Sequence, residues 1–462
     1  MTLIKSISGI RGTIGGKPGE NLTPVDIVKF ASAFGELLRQ SDSEERSVVV
    51  IGRDARISGP MVSAIVSQTL IAMGIDVVDL GLSTTPTVEM AVVKERASGG
   101  IIITASHNPG QWNALKLLNS SGEFISAEAG KAIIQNAENP QMNFAEVEKF
   151  GSYRFDESYL LWHIEQVVNH PLVDRDAIAQ ADFHIAVDAV NSTGGIFVPA
   201  LLEELGVKNI ERLYCRPTGD FPHNPEPLPA HLADLSGLVR DKNCDLGITV
   251  DPDVDRLAFV SEDGEVFGEE YTLVAVADYV LSRKKGNTVS NLSSTRALRD
   301  ITEKHGGKYH ASAVGEVNVV EKMKETQAVI GGEGNGGIID PELHYGRDAL
   351  IGIGLFLSHL ATSNMRMTEL RASYPSYFMS KNKIQLTPDL DVDQILAQMA
   401  SKYDNENVNT IDGVKIDFAE EWVHLRKSNT EPIIRIYTES KTQESADNLA
   451  NRFIDEIKSL IS

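Results

Sequence analysis

The chain has 462 residues, 42% of them hydrophobic, with 43 Lys and Arg against 65 Asp and Glu, a formal net charge of −22. That length exceeds one ordinary domain and predicts three or four, while the acidic balance argues against nucleic acid as a partner, because such binding relies on a basic surface. Two cysteines, Cys215 and Cys244, argue against a disulfide scaffold; with no signal peptide and no apolar run long enough to span a bilayer, the expectation is a cytoplasmic protein without a membrane partner.

In chain order, Val48–Ile51 reads as a strand leading to Arg53-Asp54-Ala55-Arg56-Ile57-Ser58-Gly59, then an amphipathic helix ending near Gly74 and a second strand from Ile75 to Val78. The apolar Ile101-Ile102-Ile103 runs into Thr104-Ala105-Ser106-His107-Asn108-Pro109, which places one hydroxyl nucleophile at a strand end, where α/β folds carry function. Ser106 is either a presented nucleophile or the N-cap of a helix-like segment after it. The strand, helix and strand unit recurs from Ile185 through Gly194-Gly195 to a helix ending at Leu205, and again from Thr288 to Ser312. Such alternation predicts parallel, helix-covered sheets.

The strand Asp245–Val250 enters Asp251-Pro252-Asp253-Val254-Asp255-Arg256. Three carboxylates at alternate positions repel one another unless a hard cation neutralises them, and oxygen ligands suit Mg²⁺. An EF-hand is rejected because Arg256 stands where that loop needs Gly, and a solvated acidic turn fits poorly with the apolar Leu257–Val260 that follows. Further on, Gly332, Gly334 and Gly337 satisfy G-x-G-x-x-G, but Pro341 argues against the helix that a dinucleotide fingerprint must open. The better reading is a flexible loop whose glycines let Glu333 and Asn335 approach a small polar ligand. In the tail, a strand (377–386), a helix (392–403), a strand meander (414–438) and a closing helix (444–461) predict an antiparallel α+β unit. It contains Arg426-Lys427-Ser428-Asn429-Thr430-Glu431-Pro432 and Arg435, which read as a dianion cradle or as a charged hairpin turn.

In this order, TASHNP, the D-x-D-x-D-R loop, the GE-x-x-G-x loop and R-x-S-[GN]-T-E-P resemble the α-D-phosphohexomutase family over nearly the whole chain. The resemblance implies an α/β fold of three similar mixed α/β domains plus a smaller C-terminal α+β domain around a central cleft, with domains expected at 1–150, 151–258, 259–370 and 371–462. It implies that Ser106 is a phosphoserine, that Asp251, Asp253 and Asp255 hold Mg²⁺ together with a phosphate oxygen on Ser106, and that Lys116 lies beside it. Arg11 and Arg256 then line the cleft and His107 touches phosphate. Glu333, Asn335 and Glu316 belong to the sugar site, and Arg426, Ser428, Asn429, Thr430 and Arg435 to a distal phosphate site.

Two loops depart from common members: GEGNGG and DPDVDR replace bacterial GEQSGH or GEMSGH and DGDGDR, so Gly337 stands where a histidine could serve as acid or base. In this the chain resembles archaeal-type members. The function implied is a phosphosugar mutase interconverting hexosamine 6-phosphate and 1-phosphate, with a sugar 1,6-bisphosphate as intermediate and activator. Phosphoglucomutase/phosphomannomutase activity is the alternative, and a phosphatase or a catalytically silent sugar-phosphate sensor the rivals.

Overall fold

The computed structural model describes residues 2–6, 9–41, 47–138, 142–386, 390–427 and 433–461. Four sheets follow one another along the chain. The first has seven strands, with Gly99–Ile103, Val48–Arg53, Asp76–Leu82 and Tyr153–Phe155 parallel, and Trp112–Leu118, Gly9–Thr13 and Ile4–Ser6 added antiparallel. The second joins parallel Asn209–Leu213, His184–Asp188 and Leu246–Val250 to antiparallel Leu257–Ser261. The third joins parallel Tyr309–Ser312, Asn287–Asn291 and Ala328–Glu333 to antiparallel Gly337–Ile339. The fourth is an antiparallel sheet of five strands. The expected α/β architecture with a smaller α+β unit is what the chain forms.

Strands covered by helices on both faces read as unbroken apolar runs. Gly99–Ile103 is buried throughout, with Ile101 and Ile103 in the core on one side and Ile102 in the core on the other, as a period of two requires. Val187, Ile248 and Phe259 of the second sheet share one continuous core with Ile330 and Ile338 of the third. The helix Ala349–Ser363, buried from Ala349 through Ser358, lies in that shared core. The fourth sheet has its own core, built on Ile416, Val423, Ile436 and Phe453. It meets the third domain through Arg296, whose guanidinium donates to the carbonyls of Phe418, Ala419 and Glu421, while its backbone N–H donates to Glu439.

Three expected boundaries need correcting. A cut at 150 leaves out Tyr153–Phe155, which pairs with Asp76–Leu82 in the first sheet. A cut at 258 severs Leu257–Ser261, whose five pairs with Leu246–Val250 make it the return arm of a hairpin. A cut at 370 falls inside the helix Met367–Ala372. In each case the deciding contact is a pairing or packing between elements that local composition does not report.

Candidate active site

The strand Gly99–Ile103 delivers Ser106 with φ at +47°, a left-handed conformation that a serine holds only when its surroundings impose it. The imposition is visible. The Ser106 N–H donates to Thr104 Oγ1 at 2.9 Å, and Thr104 Oγ1 donates to Asp54 Oδ2 at 2.7 Å. Asp54 pairs with Arg56 Nε at 3.0 Å, and the Arg56 guanidinium donates to the carbonyls of Ser106, Asn108, Pro109 and Trp112 at 2.5–3.0 Å. Arg56 is fully buried, and all five of its N–H donors are used. Burial pushes the Asp54 carboxyl up, and Arg56 opposes that. The next element is the strand Trp112–Leu118, so Ser106 caps no helix, and the capping alternative is removed.

The hairpin between Leu246–Val250 and Leu257–Ser261 carries Asp251, Asp253 and Asp255, all buried, with a carboxylate oxygen of each within 4.8 Å of the others. Ser106 Oγ donates to Asp251 Oδ2 at 2.7 Å. Lys116 Nζ donates to Asp253 Oδ2 at 2.7 Å and lies 3.4 Å from Asp255 Oδ2. Ser192 and Thr193 hydroxyls both donate to the Pro252 carbonyl, and Thr85 donates its hydroxyl to Asp253 Oδ2 at 2.6 Å and its N–H to the Asp253 carbonyl. Val254, β-branched, sits at φ +61°, so this loop is strained at its centre. Burial and the neighbouring Asp255 and Asp253 push the Asp251 carboxyl well above the usual range. Burial alone would raise Asp255 too, but Arg347, Lys116 and Arg256 hold it below. Asp253 Oδ1 and Asp255 Oδ1 are buried without a hydrogen-bond partner, and as carboxylate oxygens they fit a hard cation such as Mg²⁺.

Arg347 joins this loop to the third domain: it lies 2.7 Å from Asp255, 3.0 Å from Glu316 and 2.8 Å from Glu333. Glu333 also accepts from Asn291 Nδ2 and the Gly315 N–H. The segment carrying it is no flexible loop. It is a tight hairpin in which Gly332 and Gly336 have positive φ, and a Cβ on either would sit about 2 Å from a carbonyl oxygen, of Gly337 or of Leu257. These glycines serve close packing within the protein. Asn335 turns inward, its Oδ1 accepting from the Gly337 N–H.

Of the remaining expected residues, His107 Nδ1 lies 3.3 Å from Ser106 Oγ, and burial followed by the Arg256 charge lowers its pKa to about 3, so the ring is neutral. Arg256 donates its N–H to Asp251 Oδ1 and its guanidinium to Glu226 at 3.1 Å. Arg11 faces Ala114 across the strand pair, on the face that also carries Lys116, and its Nε is buried without a partner. In the fourth sheet Arg426 and Arg435 are directly opposed across neighbouring strands, an unfavourable placement that an anion would relieve. Arg426 pairs with Asp412 at 2.8 Å. Ser428, Asn429 and Thr430 lie outside the described residues.

A cavity of about 690 Å³ brings together Lys116 of the first domain, Glu316, Glu333 and Arg347 of the third, and Asp412 and Arg426 of the fourth. Asn335 and Arg435 are not in its wall. Sequence reasoning passed over Arg56, Arg347, Thr85, Glu226 and Asp412. Arg56 had a signal, an Asp-x-Arg directly after a buried strand; Arg347 had one too, Arg347-Asp348 before a long apolar helix.

Four family models match in succession, described as phosphoglucomutase/phosphomannomutase alpha/beta/alpha domain I at residues 3–143, domain II at 162–264, domain III at 268–377, and the C-terminal domain at 383–456. A "Phosphoglucomutase/phosphomannomutase" of Thermococcus kodakarensis is 34% identical, covering 94% of this chain and 95% of that protein. A "Probable phosphoglucosamine mutase" of Methanopyrus kandleri is 33% identical, covering 98% and 97%. A crystal structure of a phosphoglucomutase/phosphomannomutase family protein from Burkholderia thailandensis superposes with a TM-score of 0.86 at 26% identity, covering 99% of this chain and 98% of that one.

Proposed function

Because the chain belongs to the phosphoglucomutase/phosphomannomutase family, we propose that it interconverts a hexosamine 6-phosphate and its 1-phosphate, with glucose and mannose phosphates as the second reading. The observation that carries this is the placement of Ser106 Oγ 2.7 Å from Asp251, beside Lys116, whose cleft also contains Arg426. One end of that cleft is reactive and the other only binds.

In this reading phosphorylated Ser106 gives its phosphoryl group to a sugar hydroxyl: the Oγ–P bond breaks, the sugar O–P bond forms, and the hydroxyl proton passes in net terms to the freed Ser106 Oγ. Asp251, Asp253 and Asp255, with a phosphate oxygen on Ser106, would hold Mg²⁺, which would supply neutralisation of the phosphoryl charge. Lys116 and Arg256 add fixed positive charge, Arg11 and neutral His107 border the serine loop, and Glu316 and Glu333, with Asn335 behind them, accept from sugar hydroxyls. Arg426, with Ser428, Asn429, Thr430 and Arg435, holds the unreactive phosphate. The bisphosphate then turns end over end and returns its original phosphate to Ser106. A distal phosphate site supports retention of the bisphosphate over its hydrolysis by a phosphatase.

The test is a coupled assay of glucosamine, glucose and mannose 6-phosphates with catalytic sugar 1,6-bisphosphate, beside intact-mass detection of phosphate on the protein. Highest kcat/KM for the hexosamine is the expected result. A glucose or mannose maximum moves the assignment to the second reading, and turnover of none overturns the mutase.

A further inference from the structure

Among the described residues Arg426 is the one cation that the fourth domain brings to the cleft wall, and its ion-pair partner there is Asp412. Asp412 sits in the turn between the paired strands Asn407–Asn409 and Val414–Asp417. Gly413 follows it at φ +71°, and a Cβ there would lie 2.2 Å from the Leu425 carbonyl oxygen and 3.1 Å from the Arg426 Cα. The turn is therefore packed directly on the strand Trp422–Lys427 that carries Arg426.

Two contacts tie this turn to the third domain. The Val314 N–H donates to Asp412 Oδ2 at 3.0 Å. The Asp412 carbonyl lies 2.7 Å from His424 Nε2; a carbonyl can only accept, so Nε2 carries the proton and Nδ1 accepts from the Ser293 hydroxyl at 2.9 Å. Burial lowers the His424 pKa to about 4, so the ring is neutral at pH 7. The carboxylate is fixed within reach of Arg426, yet Arg426 Nε, 2.8 Å from Oδ2, is not aligned for a hydrogen bond. The pair is held by charge rather than by a directed bond, and it gives way to a stronger anion. Without any anion the Arg426 guanidinium would face Arg435, directly opposite on the neighbouring strand.

We propose that Asp412 is a positioning residue of the mutase cycle, a built-in anion that takes over Arg426 whenever the distal phosphate leaves it. The inference rests on the proposed function, in which Arg426 holds the unreactive phosphate, and it adds how that grip is released. The bisphosphate must withdraw one phosphate from Arg426 before it can turn and offer the other. A dianion with several oxygens outcompetes one carboxylate for the guanidinium, and the carboxylate, already in place, offsets part of the cost of letting the dianion go.

The test is Asp412→Asn, which removes the charge but keeps an acceptor for the Val314 N–H and the backbone carbonyl for His424. The calorimetric Kd for glucose 1,6-bisphosphate, measured in a Ser106→Ala background, should fall about fivefold, the scale of a partly exposed ion pair that no longer competes. A Kd that rises, or stays within about twofold of the parent, overturns the proposal. In the intact enzyme kcat and the added bisphosphate needed for half-maximal rate should fall together; a lower kcat with a greater requirement is structural damage and overturns it too. Asp412→Glu keeps the anion and should keep the parent Kd, so a fivefold tightening there counts against the role of charge. In an Arg426→Ala background Asp412→Asn should move Kd by less than about twofold, and a full effect would mean general repulsion rather than competition for Arg426. The two readings fail differently: an unchanged Kd in Arg426→Ala alone overturns the distal phosphate site, whereas weakened binding there beside an unmoved Asp412→Asn overturns only the built-in anion.

Discussion

Ser106 and Arg56 are separable by experiment, since one carries the chemistry of the proposed mechanism and the other holds it in place. Ser106→Ala should abolish mutase turnover while sugar-phosphate binding, measured by calorimetry, stays largely intact, because affinity in this reading comes from the far end of the cleft around Arg426. Turnover resembling the parent would sink the phosphoserine. Asp253→Asn removes one charge at nearly constant volume and keeps acceptors for Thr85 and Lys116. The Mg²⁺ concentration giving half-maximal rate should rise severalfold, because a hard cation prefers carboxylate to amide oxygen; an unchanged metal dependence would place the metal elsewhere. Ser106 and the three aspartates were legible in sequence because a nucleophile after an apolar strand and alternating acids are local patterns. Arg56 and Arg347 were not singled out, since each acts through partners at least 50 residues away in the serine loop or about 90 away in the acidic loop, apart from the nearby Asp54, Glu316 and Glu333.

Asp348 shows how an element boundary serves two purposes. It caps the helix Ala349–Ser363 by accepting from the N–H groups of Leu350 and Ile351, and its other oxygen lies 2.9 Å from the buried His163 Nε2 and 3.3 Å from Nε2 of the partly buried His344. Burial would raise this carboxyl, but His163 and His344 hold it well below the usual carboxylate range. A depressed carboxylate contributes stability that is fully present above its unfolded value, near 4, and is lost as pH falls toward the folded one. Asp348→Asn keeps a capping oxygen but gives up the charge-assisted contacts, so denaturant unfolding at pH 7 should show a loss of about 1.5–3 kcal/mol. The gap between parent and variant should close as pH drops below about 4; a gap that widens in acid would contradict the assignment. At this scale the repeated strand and helix units were readable from periodicity. The hairpin Ala328–Ile339 was misread as flexible because glycine signals both mobility and close backbone approach, and only the approach of Gly336 to Leu257 decides between them.

The cleft exists only when the first, third and fourth domains are assembled, since each supplies part of its wall. Arg426→Ala should therefore do more than weaken sugar-phosphate binding by roughly 1.5–3 kcal/mol. If the distal phosphate is what draws the fourth domain onto the ligand, the bisphosphate should also escape during reorientation, and the variant should need more added sugar 1,6-bisphosphate for full rate. Glu333→Gln should instead alter the ranking among sugar phosphates with little change in that requirement; identical profiles would dissolve the division of labour. The domain order and the antiparallel character of the tail were legible along the chain, whereas the boundaries were not, because Leu257–Ser261 and Tyr153–Phe155 are claimed by sheets formed earlier in sequence. The core shared by the second and third sheets bears on how this architecture can be recombined. A chimera made between relatives at the junction of those two sheets would have to match two halves of one interior, and mismatched side chains there cost on the order of 1–3 kcal/mol each. The fourth sheet brings its own interior and could be exchanged as a block, provided the incoming loop offers the same three carbonyls to Arg296, so the natural crossover point for building hybrid specificities lies just ahead of Phe378.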